Sequence, residues 1–170
     1  MTDGTLETID GRPALRFERT LVHSVERVWR AVSEPAELER WFPAAADWTP
    51  AKGETFEAYG ATGEVTEVEA PHRLAWSFGD ERYRFELADH DDGCLLIFTH
   101  VFEDRGISAQ TAAGWETYLT RLDAHLEGGH LTEEKAHEPW EEVHERYAER
   151  FGVDPTPGRR FWAEYRAGTG

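Results

Sequence analysis

The sequence predicts an α+β fold in which one antiparallel sheet wraps around a long helix. Two observations predict it. Five short strand-like segments follow one another between residues 53 and 103, and the turn formers between them allow only antiparallel pairing. The stretch after them, AGWETYLTRLDAHLEGG, repeats apolar residues every three or four positions, as an amphipathic helix does, at Trp115, Leu119, Leu122 and Leu126. A stripe of that length needs a broad apolar partner, which the sheet would supply.

The segment before these strands predicts one strand and two short helices. Residues 14–24 alternate apolar and polar side chains, which indicates a strand. Ser24 is suited to cap the helix that follows, whose apolar face holds Val25, Val28, Trp29 and Val32. Pro35 is suited to begin the second helix, over residues 35–42. The leader ahead of Ala14 is polar and predicts no element.

Alternation assigns the faces of the strands, which we expect at residues 53–59, 63–69, 73–78, 82–88 and 94–103 with a turn at Tyr59-Gly60. One face carries Leu74, Trp76, Phe78, Tyr83, Phe85 and Leu87. The last strand is apolar on both faces, so we expect both of its sides to be covered in part.

The C-terminal part predicts an extension of the domain. The long helix should span about residues 109–127 and stop at Gly128-Gly129. A further helix at 139–151 should cover a sheet edge or the outer sheet face, and the turn-rich tail predicts no element. Because about 40 residues are too few for an independent core, residues 1–129 form the domain, and residues 130–170 pack on it or on a partner subunit in a homodimer.

Composition excludes several functions. The 170-residue chain has a formal net charge of −16, which opposes binding to nucleic acids or anionic membranes. No apolar run approaches the ~20 residues of a membrane span, and the N-terminus lacks the features of a secretory signal. We therefore expect a cytoplasmic protein. The single cysteine, Cys94, is expected to be a buried core residue.

Four segments in a fixed order resemble the SRPBCC or START-like superfamily, and within it the bacterial homologues of the activator of the heat-shock-protein-90 ATPase. They are HSVERVWRAVSEPAELERWFP (His23–Pro43), GEVTEVEAPHRLAWSF (Gly63–Phe78), LLIFTHVF (Leu95–Phe102) and GWETYLTRLDAHLEGG (Gly114–Gly129). The resemblance spans residues 14–129. It implies a helix-grip fold, with a cavity between sheet and helix that commonly holds an apolar small molecule.

The leading hypothesis is a non-catalytic protein that binds a hydrophobic small molecule or lipid in that cavity. Its ligand-binding residues would be Trp76, Phe78, Tyr83, Phe85 and Phe98 from the sheet and Trp115, Tyr118, Leu119 and Leu122 from the helix. His100 would orient the polar end of the ligand, with Tyr118 as its hydrogen-bond partner. The alternative interpretation of these aromatic residues is a solid core.

Two other functions stay open. The resemblance also implies a stress-related, chaperone-regulating interaction module, although we expect no counterpart of the eukaryotic chaperone-binding domain ahead of Ala14. A cyclase or aromatase-type enzyme would need an acid–base pair at the cavity floor. No GxSxG, HExxH, CxxC or GxGxxG motif is present. The spacing of His137, Glu141 and His144 would suit a metal on one helix face, but Pro139 interrupts it, so we predict no metal and no cofactor.

Overall fold

A computed structural model describes residues 3–43, 51–58 and 61–169. One seven-stranded antiparallel sheet has the strand order β1-β2-β7-β6-β5-β4-β3. Its strands are β1 (Thr5–Ile9), β2 (Arg12–Leu21), β3 (Thr55–Ala58), β4 (Ala61–Glu69), β5 (Arg73–Phe78), β6 (Glu81–His90) and β7 (Gly93–Val101). The predicted α+β, helix-grip architecture is confirmed. The turn predicted at Tyr59-Gly60 lies outside the described residues.

Two short helices and a long one complete the predicted domain. Helix α1 (Val25–Ser33) begins where expected, because the Ser24 hydroxyl accepts a hydrogen bond from the Arg27 backbone N–H at 3.1 Å. Helix α2 (Pro35–Leu38) is shorter than predicted, since the chain turns after Leu38. Helix α3 (Ser108–Leu126) follows a single 3₁₀ turn and agrees with the predicted long helix.

The polar leader is a strand, so the prediction of no element there is wrong. Asp10 and Gly11 both have positive φ, at 52° and 77°, which is the backbone of a tight two-residue hairpin turn. That turn pairs β1 with β2 at the edge of the sheet. The Asp-Gly pair was the available signal, because alternation alone is weak in a strand that is mostly exposed.

The extension contains three helices, α4 (Glu133–Ala136), α5 (Trp140–Phe151) and α6 (Thr156–Thr169). Only α5 was predicted. The turn formers of the tail are the start of α6: an Asp154 carboxylate oxygen accepts from the Thr156 N–H at 2.9 Å, and Pro157 lies in the first turn. Gly158 allows α6 to approach α5, because any Cβ there would overlap the imidazole of His144.

The core lies between the inner face of the sheet and α3. Phe17, Phe85, Phe98, Leu119 and Leu122 are buried there. The opposite side of α3 is covered by α5 and not by the sheet. Of the two positions predicted for α5, the outer sheet face is therefore wrong, and α5 reaches the start of the edge strand β1 through bonds of Tyr147 and Arg146 to Gly4 and Asp3. Within the described ranges, no helix combines the length and the hydropathy of a membrane span.

Candidate functional site

Three flat rings lie side by side on the inner face of the sheet. Trp76 on β5 is directly opposite Tyr83 on β6, which is directly opposite His100 on β7. The ring centroids of Trp76 and Tyr83 are 5.2 Å apart and those of Tyr83 and His100 are 4.4 Å apart, with interplanar angles of 5° and 18°. Direct cross-strand neighbours on one face form such pairs. We call these three residues the ring ladder.

Two further rings cover the side of the ring ladder that faces α3. Trp115 of α3 meets Tyr83 and His100 edge to face, at 6.2 and 5.9 Å between centroids. Phe42, just beyond α2, contacts both Trp76 and Trp115 at 5.9 Å. These are the tilted and edge-to-face geometries that aromatic pairs prefer.

A chain of hydrogen bonds runs from Trp115 through His100 to the surface. The Trp115 indole N–H donates to His100 Nδ1 at 2.9 Å, and His100 Nε2 lies 2.6 Å from the Glu81 carboxylate. An indole N–H can only donate, so His100 Nδ1 is the acceptor. Nε2 therefore carries the ring proton and donates a hydrogen bond to Glu81. His100 is buried, whereas the Glu81 side chain is 41% exposed. The hydrogen-bond chain thus ends at the half-exposed carboxylate of Glu81, which can still accept further hydrogen bonds.

This arrangement corrects the expected partner of His100. Both of its ring nitrogens are occupied by Trp115 and Glu81, so neither is left for Tyr118. Tyr118 lies near the extension, with its ring 6.0 Å from that of His137. Sequence reasoning missed Glu81, because a glutamate next to the Gly79-Asp80 turn has the composition of an ordinary surface position.

Position divides the predicted site residues into two groups. Trp76, Phe78, Tyr83, His100 and Trp115 belong to the ring ladder or its neighbourhood, and among them Phe78 and Tyr83 are half-buried. Phe78 extends the aromatic surface outward, since its ring stacks on that of Phe56, at 6.2 Å, above Gly63. The deeper residues pack tightly and are buried, namely Phe85, Phe98, Leu119 and Leu122. The structure thus brings together nine of the predicted ten and places Tyr118 apart.

A buried charged cluster beneath α3 was not predicted. Arg19 of β2 and Glu116 of α3 are 7% exposed each, with 3.7 Å between guanidinium and carboxylate. The hydroxyl of Tyr147, on α5, donates to Glu116 and accepts from the Gly4 N–H at 2.8 Å. Burial, followed by the hydrogen bond to Glu116, raises the pKa of Tyr147 well above its ordinary value. One carboxylate therefore joins the sheet, α3 and the extension.

Cys94 and the described acidic and histidine side chains offer little reactive chemistry. Cys94 is buried as predicted, and burial raises the pKa of its thiol to about 11, so the thiolate is scarce at neutral pH. Among the residues that the structure describes, no group of three or more His, Cys, Asp or Glu side chains is placed to hold a metal ion.

Two buried histidines make the extension sensitive to acid. Burial lowers the pKa of His137 and of His144 below the ordinary 6.5. Below about pH 6.5, these histidines are protonated in the unfolded chain but stay neutral in the folded extension. The stability of the extension therefore falls as the pH drops from about 6.5 through the lowered pKa values.

We expect amide hydrogen exchange in α5 and α6 to be faster at about pH 5.5 than at about pH 7.5, after correction for intrinsic rates. Exchange in β6 and β7 serves as the internal reference. His137→Gln should reduce the difference, because it removes one of the two titrating groups. Equal protection of α5 and α6 at both pH values would contradict the assignment.

Comparison with known proteins places this geometry in a family. Residues 23–127, more than half of the chain, match the family described as activator of Hsp90 ATPase homolog 1-like protein. No curated protein matches the chain.

Solved structures share the fold. The crystal structure of CalU16 from Micromonospora echinospora is 23% identical, with a TM-score of 0.73 over 88% of this chain and 97% of that chain. A protein of unknown function from Enterococcus faecalis is 20% identical, with a TM-score of 0.72 over 88% and 90%. DynU16, from the dynemicin biosynthetic locus, is 25% identical, with a TM-score of 0.60 over 69% of this chain and 48% of that chain.

The share of this chain covered in the first two structures, 88%, is more than the 129 residues before His130 supply. Part of the extension therefore has a counterpart in them, in addition to the sheet and α3. The family match covers α1, α3 and all the strands from β3 to β7, which carry the ring ladder. This chain is a member of the activator of Hsp90 ATPase homolog 1-like family.

Proposed function

We propose that the protein binds a flat hydrophobic small molecule at the outer end of the ring ladder, without transforming it, and that Glu81 accepts a hydrogen bond from the ligand. The observation that carries the proposal is the hydrogen-bond chain from Trp115 through His100 to Glu81, which ends at a half-exposed carboxylate beside partly exposed rings.

The aromatic surface supports a flat, apolar ligand. Phe78 and Tyr83 are half-buried next to the buried Trp76, so they offer ring surface at the edge of a packed core. Ligand sites are typically lined by aromatic side chains with a few placed polar groups. A planar molecule that covers these rings gains from removing apolar surface from water and from stacking.

The polar group at this end selects for a hydrogen-bond donor. Trp115 fixes the tautomer of His100, and His100 orients the Glu81 carboxylate. His100 has no nitrogen left for a ligand, whereas a carboxylate accepts several hydrogen bonds. In this proposal Glu81 contacts the donor group of the ligand, and His100 acts as its positioning residue.

The deeper predicted residues have a supporting role in this proposal. Phe85, Phe98, Leu119 and Leu122 are packed against one another and form the floor beneath the ring ladder. A rigid floor fixes the ring orientations of Trp76 and Tyr83 before a ligand binds. This lowers the entropic cost of binding.

The enzyme alternative would use the same pair. Glu81 and His100 are an acid–base pair 2.6 Å apart, as a cyclase-type enzyme would need. Binding without turnover is favoured because the Trp115 N–H donates to Nδ1 and Nε2–H donates to Glu81, so both ring nitrogens are engaged and neither exchanges a proton with a ligand. The chaperone-regulating alternative is supported by the family match. Within the described residues, we identify no surface that adds support for it.

The proposal is tested with 2-naphthol, a flat probe with one hydroxyl donor, and with 2-methoxynaphthalene, which lacks the donor. We expect saturable quenching of tryptophan fluorescence by both, with 2-naphthol bound about tenfold more tightly because a hydrogen bond to a charged group adds affinity. Glu81→Ala should remove the difference between the two probes.

Glu86→Ala is the matched control, because Glu86 lies on the outer sheet face beside Arg84, and it should leave both affinities unchanged. Phe78→Ala should weaken both probes, since it removes ring surface that either would cover. Absence of saturable binding, or an equal preference for 2-naphthol in Glu81→Ala, would refute the proposal.

A further inference from the structure

The outer face of β7 is apolar, and no element in the described part of the chain covers it. Leu95, Ile97 and Val101 lie along this face, and the first two are half-buried. We call these three residues the apolar strip. Two open depressions, of about 590 and 260 Å³, lie on the face, and side chains of β7 line both. Helix α5, one of the expected covers, packs on α3 instead.

Charged side chains flank the apolar strip in a pattern that is the same on both neighbouring strands. On this face β2 carries Arg16 and Glu18, and β6 carries Arg84 and Glu86. The strand register places the two arginines in one row across the sheet and the two glutamates in the next row. These four charges balance, although the whole chain has a net charge of −16.

This pattern is complementary to itself. A twofold axis can lie between two such faces, perpendicular to the strands and midway between the two rows. It places the arginine row of each copy over the glutamate row of the other, and the two apolar strips then meet. The strands of the two copies are aligned, as in sheets that pack about 10 Å apart. Such an interface uses the same patch on both subunits, which is the usual arrangement in homodimers.

The charge pattern favours a second copy over other partners. A uniformly acidic or uniformly basic partner would meet like charge in one of the two rows, whereas a second copy meets opposite charge in both. Like-charge contacts across an interface cost several kcal/mol, so the pattern selects the partner and the register.

The ion pairs within one copy leave these charges accessible. Arg84 lies 3.5 Å from both Glu86 and Glu67, which is longer than the ~2.8 Å of a charge-assisted hydrogen bond. The side chains of Arg84 and Glu86 are 39% and 38% exposed. Arg16 and Glu18 are 2.7 Å apart, and they are similarly exposed. Each group can therefore pair with a second copy through a side-chain rotation.

The area of the face suits a stable dimer. Its five strands, β1, β2, β7, β6 and β5, span about 24 Å across the sheet, and β2 and β7 are about 30 Å long. The resulting flat area of roughly 700 Å² is close to the ~800 Å² per partner that a standard interface buries. Ile9 of β1, which is 37% exposed, adds apolar surface at the edge.

We propose that two copies of this chain form a homodimer through the outer face of the sheet. The proposal is independent of the ligand site, because the ring ladder lies on the inner face of the same sheet. The extension packs on α3 and takes no part in this interface.

Sedimentation equilibrium of the full-length chain tests the proposal. We expect a species of twice the 19.4 kDa of one chain, with a dissociation constant of about 10 μM or tighter. Arg84→Glu places a carboxylate over Glu86 of the second copy, and Glu86→Arg places a guanidinium over Arg84 of the second copy. Each variant alone should therefore dimerise about a hundredfold more weakly.

Mixing the two variants separates this geometry from a general effect of charge. In the mixture each arginine again faces a glutamate, so the two variants should associate with each other about as tightly as the parent chain does with itself. Arg160→Glu and Glu164→Arg, at exposed positions of α6, change the net charge by the same amounts and should leave the parent dimer unchanged.

Three results would overturn the proposal. The first is a parent chain that stays monomeric at about 100 μM. The second is a dimer that is as tight in Arg84→Glu and Glu86→Arg as in the parent chain. The third is a mixture of these two variants that associates no more tightly than either alone, provided that far-UV circular dichroism shows both to be folded.

Discussion

Replacing Arg121 with methionine is expected to lower the free energy of unfolding by about 3 kcal/mol. The buried guanidinium donates to the backbone carbonyls of Leu131, Trp41 and Arg40 at 2.8, 3.4 and 3.1 Å. Methionine has a similar length and no donor, so three carbonyls would lose this partner, and that of Trp41 is buried. Buried acceptors without partners are among the costly consequences of a single substitution.

The loss should reach the candidate site as well. Arg40 and Trp41 directly precede Phe42, the ring that covers Trp76 and Trp115. Without Arg121, this segment is no longer fastened to α3, so we expect weaker binding of 2-naphthol in addition to lower stability.

Urea denaturation followed by far-UV circular dichroism measures the change in stability. Arg160→Met, at an exposed position of α6, is the matched control and should change the free energy of unfolding by less than about 0.5 kcal/mol. Arg121→Lys should be intermediate, because an ammonium group cannot reproduce the planar fork of donors. A methionine variant as stable as the parent chain would show that water replaces the guanidinium.

Arg121 also shows where the sequence stops being informative. The apolar stripe of α3 predicted the helix and its sheet-facing side, because local periodicity records which face is buried. Arg121, Glu116 and Thr117 are buried on that same helix, yet their residue types indicate a solvated face. Tyr147 of α5 bonds to Glu116, and Leu131 and Glu133 bond to Arg121. The sequence alone did not show that the extension would pack there.

The candidate site shows the same limit. Alternation placed Trp76, Tyr83 and His100 on one face of the sheet, but only the strand register puts them directly opposite one another. A shift of one residue in that register would reverse the face of each side chain. The partners of His100 depend on this register and on the height of Trp115 along α3, which are set by tertiary packing.

Tyr147→Phe is expected to lower the free energy of unfolding by about 2 kcal/mol, because it removes one hydroxyl from a cluster with no access to water. Tyr147 is fully buried, and its hydroxyl donates to Glu116 and accepts from the Gly4 N–H. The substitution keeps the ring and its packing against Phe151. What is lost is one hydrogen bond to a buried carboxylate and one to a backbone donor.

The damage should be local, because Gly4 precedes the edge strand β1 and Asp3 is fastened to α5 through Arg146 and Arg150. Hydrogen exchange should therefore accelerate in β1 more than in β6 or β7. A double-mutant cycle with Glu116→Gln isolates the hydroxyl–carboxylate pair, and we expect a coupling of about 1 kcal/mol or more. Additive effects would mean that the hydroxyl and the carboxylate are not coupled, and Glu116 would then not link the extension to the rest of the domain.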